Sequence, residues 1–221
     1  YREKNETDQL HVFSKEKDPF YNRVLLPEYV SEELSWEALE KLKKGELEKL
    51  DITLHQGLGV AQIDRKNKTV KDDDGFEHAY DILVMATGSR AFVPSEVQIN
   101  MPGRFTMRER GDADKLRKYL EDTGLPSEEQ HVLIVGGGLL GLELAAALKN
   151  RNVNISIIQR APRLMERQLD RIASRLLAED VSDRGIKVYF DNEVSTVFEE
   201  RDDKNSLSIT LKTGRTIKCN A

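Results

Sequence analysis

The feature of this sequence that most constrains the fold is a glycine-rich corner between an apolar run and an alanine- and leucine-rich stretch. HVLIV at 131–135 has the length and composition of a buried strand, and LLGLELAAALKNR at 139–151 those of a helix. Between them the chain reads Gly136-x-Gly138-x-x-Gly141. In this spacing the first glycine permits a tight turn, the second lets the backbone approach a pyrophosphate, and the third lets the helix pack closely on the strand. The corner therefore predicts a dinucleotide site with the helix N-terminus facing the phosphates.

Two other interpretations of the glycine corner differ in what they require. A P-loop needs Gly-Lys-Ser/Thr at this place, whereas the sequence has Gly141-Leu142-Glu143. A glycine turn without a ligand needs only the glycines, and it stays open as the structural alternative. The position of the corner between a strand and a helix favours the dinucleotide.

The segments that follow the corner continue the alternation. ISII at 155–158 and IKVYF at 186–190 are predicted strands, and DRIASRLLAEDVSDRG at 170–185 is a predicted helix. The order β-α-β-α-β predicts an α/β fold of the Rossmann type with a parallel sheet. A meander at 193–220 ends the chain.

The residues after the second of these strands bear on which dinucleotide binds. An acidic side chain there usually binds the ribose hydroxyls of NAD, and an arginine accommodates the extra phosphate of NADP. Here the strand ends at Gln159, followed by Arg160 and Arg163. Gln159 can hydrogen-bond to hydroxyls without repelling a phosphate, and the arginines can attract one or simply lie in a solvated loop. The sequence predicts NAD(P)H and leaves NADH and NADPH undecided.

The first half of the chain alternates short elements. LHVFS at 10–14 is a predicted strand, and 35–50 a predicted helix with Trp36, Leu39 and Leu42 on one stripe, broken or kinked near Gly45. From Ile52 the short alternating runs ITLHQ, VAQID and TVK, with turns at RKNK and DDDG, predict an antiparallel meander.

An unbroken apolar run follows this meander. DILVMATGS at 81–89 predicts a parallel strand buried on both faces, whose C-terminal end would lie where α/β sheets bind ligands. Pro94, Pro102 and Pro126, with a charged helix at 112–122, then predict a crossover between two domains.

Composition excludes several classes of partner and chemistry. The 34 basic residues are interleaved with 39 acidic ones, for a net charge of −5, so nucleic acid is not an expected partner. No run has the length of a membrane helix, and the N-terminus lacks signal-peptide character, so a cytoplasmic location without a membrane partner is expected. Cys219 is the only cysteine and the four histidines have no ligand spacing. We therefore predict no metal site and no catalytic side chain, and redox chemistry would need a cofactor.

Longer motifs carry a resemblance to a known family. VLIVGGGLLGLE at 132–143 and YDILVMATGSRAFVP at 80–94 resemble the pyridine-nucleotide disulfide oxidoreductase superfamily. YNRVLL at 21–26 and LMERQLD at 164–170 further resemble the FAD-containing part of the NAD(P)H-dependent nitrite reductase large subunit. This resemblance implies a Rossmann-like three-layer FAD/NAD(P)-binding fold with β meanders. A partial FAD-binding domain would occupy residues 1–103, and a nearly complete NAD(P)H-binding domain residues 104–221.

The resemblance also assigns cofactor contacts residue by residue. Gly136, Gly138, Leu140 and Gly141 would cradle the NAD(P)H pyrophosphate, with Glu143 near the nicotinamide and the flavin. On the FAD side, the motif matches imply that Glu16 contacts the ribose, that Arg23 lies near the pyrophosphate and that Val60 contacts the adenine. Thr87, Gly88 and Ser89 would line the flavin, with Arg90 as a neighbouring arginine.

The chain departs from the family pattern at both ends. It opens at Tyr1, and HVFS at 11–14 matches the second strand of the FAD half, so the first βα unit with its own glycine corner is expected to be missing. It also stops at Ala221, before the expected return to the FAD domain. We therefore expect a fragment of a longer protein that binds FAD poorly and is inactive by itself. Self-association into a homo-oligomer is left open.

The resemblance implies electron transfer from NAD(P)H through FAD to a later acceptor. The segment directly after Tyr21, where disulfide-reducing or peroxide-reducing relatives keep a reactive thiol, contains no cysteine. The acceptor would be an iron-sulfur centre, 2Fe-2S or 4Fe-4S, with siroheme, in parts of the parent outside this chain. A reductase that feeds rubredoxin or ferredoxin, and a non-catalytic NAD(P)-binding module, remain as alternatives.

Overall fold

The computed structural model describes residues 1, 3–42, 45–200 and 206–221. They form two compact units. Unit 1 combines Tyr1–Asn22 with Trp36–Ser89, and unit 2 combines Arg23–Ser35 with Arg90–Ala221. The assignment of 1–103 to FAD and 104–221 to NAD(P)H concerns ligands and stays a prediction.

Unit 1 contains a parallel pair of strands and a separate antiparallel meander. β1 (Leu10–Ser14) pairs in parallel with β2 (Ile52–Gln56), with Leu10 opposite Ile52. The meander consists of β3 (Val60–Asp64), β4 (Thr69–Asp72) and β5 (Glu77–Ala79). The prediction that the meander starts at Ile52 is wrong. An alternating pattern does not encode the partner strand, and the long connection from β1 permits parallel pairing.

The helix predicted over 35–50 is replaced by two short helices. α2 (Trp36–Leu39) and α3 (Glu46–Lys49) lie on either side of Gly45, which has φ of 86°. The backbone after α2 turns to residues 20–22 instead: Asn22 N donates to Leu39 O and Lys41 N to Phe20 O, each over 2.7 Å. These bonds replace the next helical turn, while Trp36 and Leu39 are buried as predicted. Residues 43 and 44 of the predicted helix lie outside the described part of the chain.

The prediction of a buried strand at 81–89 is wrong. The segment has no strand assignment and no ladder partner among the described residues, and all of its residues are exposed. Ile82 and Val84 are each 80% exposed. A parallel strand is stabilised by hydrogen bonds to neighbouring strands, and apolar composition does not supply those neighbours.

Unit 2 is built on the predicted β-α-β-α-β order, which is confirmed. β6 (His131–Val135), β7 (Asn154–Ile158) and β8 (Lys187–Tyr189) form a parallel sheet in the order β6-β7-β8. α5 (Leu139–Asn150) connects the first two strands, and α6 (Arg171–Asp183) the last two.

Two further helices belong to unit 2. α4 (Arg110–Asp122) covers the predicted charged helix. α1 (Leu26–Val30) follows a short 3-10 turn at Arg23–Leu25 and packs against both α4 and α5. No helix in the described ranges is long and apolar enough to cross a membrane.

The predicted C-terminal meander is also confirmed. β9 (Val194–Glu199), β10 (Leu207–Leu211) and β11 (Thr216–Cys219) form an antiparallel sheet in the order β11-β10-β9. Its inner face shares a core with the parallel sheet, made of Leu133, Ile158, Val194, Leu207, Ile209, Leu211, Ile217 and Cys219. The chain end completes this junction, since Leu133 N donates to Ala221 O over 2.7 Å.

Candidate functional site

The glycine corner of unit 2 has the tight turn that its sequence predicts. Gly136 has φ of 116°, a conformation that favours glycine, and its N–H donates to Ile158 O over 2.8 Å. A Cβ on Gly141 would lie 2.1 Å from Gly136 O, so only glycine lets α5 approach the turn this closely. The first glycine therefore permits the tight turn, and the third lets the helix pack closely, as the sequence predicts.

The cup formed by this corner is open. A Cβ placed on Gly136 or on Gly138 would have no atom within 4 Å. Leu139 and Leu140, at the start of α5, are 54% and 51% exposed. The first amides of a helix have no acceptor within the helix, and Gly138 caps α5 without a side-chain hydrogen bond. The first amides of α5 therefore have no acceptor within the helix, an arrangement suited to an anion such as a pyrophosphate.

A hydrogen bond that sequence reasoning missed fixes the shape of the cup. Gly137 N–H donates to Oε1 of Gln159 over 2.8 Å, and Nε2 of Gln159 donates to Arg163 O over 3.2 Å. Gln159 is 9% exposed. A Cβ on Gly137 would lie 2.4 Å from Cδ2 of Leu164, so a side chain at this position would require Leu164 to move. The predicted ribose contact of Gln159 stays a prediction, and its amide already holds the turn and the following loop.

The two predicted arginines of this loop differ in their hydrogen bonds and in their exposure. Arg163 donates to the carbonyl oxygens of Glu166 and Leu169 over 2.9 and 3.1 Å, so it organises the loop. Arg160 has a side chain that is 77% exposed and lies 3.8 Å from Glu193. Arg160 is therefore the more available of the two for a phosphate.

A cleft of about 590 Å³ lies between this loop and α6. Its lining contains two arginines that the sequence analysis did not single out, Arg171 and Arg175. The rest of the lining is Pro162, Arg163, Ser174, Ala178 and Phe190. Only their positions on α6 bring these arginines to the loop, and no motif indicates them.

Glu143 lies on the first turns of α5, two residues after the last glycine. Its Oε2 is buried and has no hydrogen-bond partner among the described residues, and Oε2 of Glu28 on α1 shares both properties. Burial, and next the charge of Glu28, raise the pKa of Glu143. Sequence reasoning missed Glu28, because only the packing of α1 on α5 relates the two carboxyls.

Two of the predicted FAD contacts lie in unit 1, in the segments that follow β1 and β2. Glu16 follows β1, and its carbonyl oxygen accepts a hydrogen bond from Gly57 after β2 over 3.2 Å. Val60, at the start of β3, is three residues further along. The hydroxyl of Tyr21 donates to the Glu16 carboxylate over 2.8 Å. Both residues thus lie near one sheet edge of the kind where α/β proteins bind ligands.

The other predicted FAD contacts are divided between the two units. Thr87, Gly88 and Ser89 belong to the exposed segment at the end of unit 1, and Arg90 is exposed in unit 2. Arg23 is in unit 2, where its guanidinium donates to Arg108 O. These five assignments stay predictions.

Three of the four histidines, which have no ligand spacing in the sequence, lie together in unit 1. Nδ1 of His11 is 3.0 Å from Nε2 of His55, and His55 stacks on Phe13. His78 is 2.8 Å from Asp72, and this hydrogen bond is the main reason why the pKa of Asp72 is lowered. Burial, followed by the charges of His11 and His78, lowers the pKa of His55.

The chain itself does not fit an iron-sulfur centre. Such a centre is bound by several cysteine thiolates, and the sequence contains one cysteine. That residue, Cys219, is 3% exposed, and burial raises the pKa of its thiol to about 12.

Sequence comparison agrees with this geometry. The family model of the pyridine nucleotide-disulphide oxidoreductases matches residues 3–221. The chain is 34% identical over 188 residues to the nitrite reductase [NAD(P)H] large subunit of Klebsiella oxytoca. The aligned region covers 85% of this chain and 19% of that protein. It is 31% identical over 198 residues to an NADH oxidase of Methanocaldococcus jannaschii, covering 85% of this chain and 42% of that protein. The chain thus spans less than half the length of these relatives.

Solved structures share the fold over nearly the whole chain. A ferredoxin reductase from Rhodopseudomonas palustris superposes with a TM-score of 0.88 at 23% identity, covering 99% of this chain and 52% of that one. An NAD-dependent persulfide reductase from A. fulgidus superposes with a TM-score of 0.86 at 25% identity, covering 100% of this chain and 41% of that one. The predicted Rossmann-like fold is confirmed, and the chain belongs to the pyridine nucleotide-disulphide oxidoreductase family.

Proposed function

We propose that this chain docks NAD(P)H in a flavin-dependent oxidoreductase, with the dinucleotide pyrophosphate on the Gly136–Gly141 corner. The observation that carries this proposal is the open cup: a Cβ on Gly136 or on Gly138 would meet no atom within 4 Å, beside the N-terminus of α5, whose first amides have no acceptor within the helix. Backbone N–H groups and the helix dipole together stabilise a doubly charged phosphate bridge without a basic side chain.

The residues around the cup have distinct roles in this proposal. The amides of Gly138 and Leu140 bind the pyrophosphate, and Gln159 holds the turn in shape through Gly137. Arg160 attracts a phosphate at the adenosine end, Arg163 holds the loop that carries Arg160, and the cleft beside α6 offers further positive charge from Arg171 and Arg175. Glu143 lies on the side of α5 that would carry the nicotinamide.

FAD is the second cofactor in this proposal. When bound, it supplies a hydride acceptor for the nicotinamide and an electron donor for a later centre. Glu16 and Val60 would contact its adenosine half, and Arg23, Thr87, Gly88, Ser89 and Arg90 its remaining parts. The protein contributes position and orientation to the hydride transfer, so no side chain of this chain needs to act as an acid or a nucleophile.

We further propose that electrons leave the flavin for an iron-sulfur centre and then siroheme, reducing nitrite. The similarity to the Klebsiella oxytoca large subunit supports this acceptor. The centre would lie outside this chain, since Cys219 is a single buried thiol. A ferredoxin or rubredoxin partner is the second candidate, supported by the fold shared with the ferredoxin reductase.

The glycine cup can be tested on the purified chain by titration with NADH and with NADPH, followed by nicotinamide fluorescence. We expect saturable binding, weakened at least about tenfold in Gly138→Ala, because the new methyl group occupies the free space where the phosphates approach. Gly138 has φ of −87°, which alanine also adopts, so this variant should fold. Gly111→Ala is the matched control, since its Cβ on α4 also meets no atom within 4 Å.

Absence of saturable binding by the unmodified chain would refute the proposed docking site. Equal binding by Gly138→Ala would show that the dinucleotide does not use this cup. The choice of acceptor needs the full-length protein: reduction of its flavin by NAD(P)H, followed by assays with nitrite and with rubredoxin, separates the candidates. No flavin reduction would leave the non-catalytic NAD(P)-binding module as the answer.

A further inference from the structure

Three ring-bearing side chains of unit 1 lie on one face of the parallel pair β1 and β2. In the register of these strands Phe13 is opposite His55, and His11 precedes Phe13 by two residues. Because side chains alternate between the two faces of a strand, His11, Phe13 and His55 point to the same side. The two histidines are thus diagonal neighbours on adjacent strands, although they are 44 residues apart in the sequence.

The imidazoles of these two histidines meet through one nitrogen each. Nδ1 of His11 is 3.0 Å from Nε2 of His55. A neutral imidazole has one nitrogen that donates and one that accepts, so this contact is a hydrogen bond from one ring to the other. Ring nitrogens are also the atoms through which histidine binds metal ions. Two potential ligand atoms therefore lie side by side on a paired sheet.

The surroundings of His55 orient its ring and leave the contact accessible. His55 stacks on Phe13, with the ring centroids 4.2 Å apart and 5° between the planes. His78 on β5 lies 5.5 Å from His55 between ring centroids, and its Nε2 is held 2.8 Å from Asp72. His11 is exposed, so ions can reach the contact from its side. Burial, followed by the charges of His11 and His78, lowers the pKa of His55, which favours the neutral form that binds metals.

The separation of the two nitrogens indicates which coordination geometry they fit. With metal–nitrogen bonds of about 2.0–2.1 Å, two ligands at the tetrahedral angle lie about 3.3–3.4 Å apart, and two at a right angle about 2.8–3.0 Å apart. The distance of 3.0 Å matches the right angle. Nitrogen and oxygen ligands at right angles are typical of tetragonal sites for Cu²⁺ and Ni²⁺.

We propose that His11 and His55 form a binding site for a divalent transition metal ion, with Cu²⁺ preferred over Ni²⁺ and Zn²⁺. Nδ1 of His11 and Nε2 of His55 bind the metal in adjacent positions, and water molecules fill the others. The ring that carries its proton on the contact nitrogen gives it up to solvent and takes one up on its other nitrogen, so both rings stay neutral. The order of preference follows the general affinity of nitrogen ligands for these ions.

This site differs from the expectation that the sequence gives. The spacing of the histidines along the chain predicts no metal site, because the pairing of β1 with β2 is not encoded in that spacing. The described ranges contain no group of three or more side chains that could hold a metal ion, so the protein contributes two ligands to the proposed site. The two ligands are adjacent only when the strands are paired, so the metal should stabilise folded unit 1.

The first experiment titrates the purified chain, without an affinity tag, with Cu²⁺ at neutral pH and records electron paramagnetic resonance spectra. We expect one equivalent to bind with a tetragonal spectrum and coupling to two nitrogen ligands. His11→Gln and His55→Gln should each weaken binding at least about tenfold and remove the coupling to the second nitrogen, because the remaining imidazole has lost its neighbour.

His78→Gln is the matched control for the copper titration, since the glutamine amide can still donate to Asp72 and both proposed ligands remain. We expect its binding to equal that of the unmodified chain. Absence of stoichiometric binding by the unmodified chain, or unchanged binding by both ligand variants, would overturn the proposal. An equal loss in His78→Gln would also contradict a site made by His11 and His55 alone.

The second experiment measures urea unfolding of unit 1 through the fluorescence of Trp36, with and without Zn²⁺. Zn²⁺ has a filled d shell, so it is used here in place of the paramagnetic Cu²⁺. The midpoint should move to higher urea with Zn²⁺ in the unmodified chain and in His78→Gln, but not in His11→Gln, whose exposed position should tolerate the change. A shift of equal size in His11→Gln would refute the site. Both experiments are independent of the proposed NAD(P)H site.

Discussion

The backbone amide of Gly137 and the side-chain amide of Gln159 are joined by a hydrogen bond of 2.8 Å between Gly137 N and Oε1 of Gln159. This bond ties the glycine corner to the end of the neighbouring strand, and the same side chain donates to Arg163 in the following loop. One buried glutamine thus determines the shape of both segments that are predicted to meet the dinucleotide.

Gln159→Leu should destabilise unit 2. The substitution keeps the volume approximately but leaves the buried Gly137 N–H without an acceptor, at a cost of about 1–3 kcal/mol. Urea denaturation followed by circular dichroism measures the change in the free energy of unfolding. Gln168→Leu, at an exposed position of the same loop, is the control, and equal stabilities of the two variants would contradict the structural role of Gln159.

Gly141→Ala should be more damaging than Gly111→Ala. Both glycines are in helices, but a Cβ on Gly141 would lie 2.1 Å from Gly136 O, whereas one on Gly111 has open space. Overpacking against backbone costs about 1–3 kcal/mol or more, because the helix must move away from the turn. Thermal unfolding of the two variants measures this difference, and a Gly141→Ala protein as stable as the unmodified chain would show that α5 does not pack as described.

Arg160→Ala should weaken NADPH binding more than NADH binding. Its exposed guanidinium can approach the additional phosphate, whereas Arg163 is held by the loop carbonyls. A charge-assisted contact at such an exposed site corresponds to about a five- to tenfold change in Kd. Parallel fluorescence titrations with the two dinucleotides provide the measurement, with Arg167→Ala as an exposed control in the same loop. Equal losses for NADH and NADPH would exclude a phosphate-specific role.

Unit 1 should lose stability as the pH falls below the ordinary histidine pKa. Burial and the neighbouring His11 and His78 lower the pKa of His55 in the folded chain, so the unfolded chain binds a proton more readily. The contribution of His55 is complete above about pH 6.5 and is lost as the pH falls toward the lowered folded-state pKa.

Trp36 is the only tryptophan and lies in unit 1, so its fluorescence reports the unfolding of this unit. We expect the loss of stability below about pH 6.5 to become shallower in His55→Phe, which can keep the stacking on Phe13. His131→Phe serves as the comparison, because the pKa of His131 is also lowered by burial but this residue is in unit 2. An unchanged pH profile of Trp36 fluorescence in His55→Phe would contradict the assignment.

The local sequence determined the strands, the turn and the helices between His131 and Tyr189. The run from His131 to Tyr189 specifies strand, turn and helix through apolar periodicity. Gly136 has a positive φ, and a Cβ on Gly141 would meet the carbonyl oxygen of Gly136 five residues earlier, so both requirements are local. For this reason the Rossmann order and the tight glycine turn could be predicted from the chain alone, while binding of a dinucleotide at that turn stays a prediction.

Tertiary structure decided everything that depends on a distant partner. The segment 81–89 is apolar enough for a buried strand, but a strand needs hydrogen-bonding neighbours, and none is found among the described residues. Likewise the packing of α1 on α5, which relates Glu28 to Glu143, and the folding of β5 that brings His78 to His55 join residues far apart in sequence. Periodicity describes which side of an element is apolar, whereas the partner that covers it is set by the packing of the whole unit.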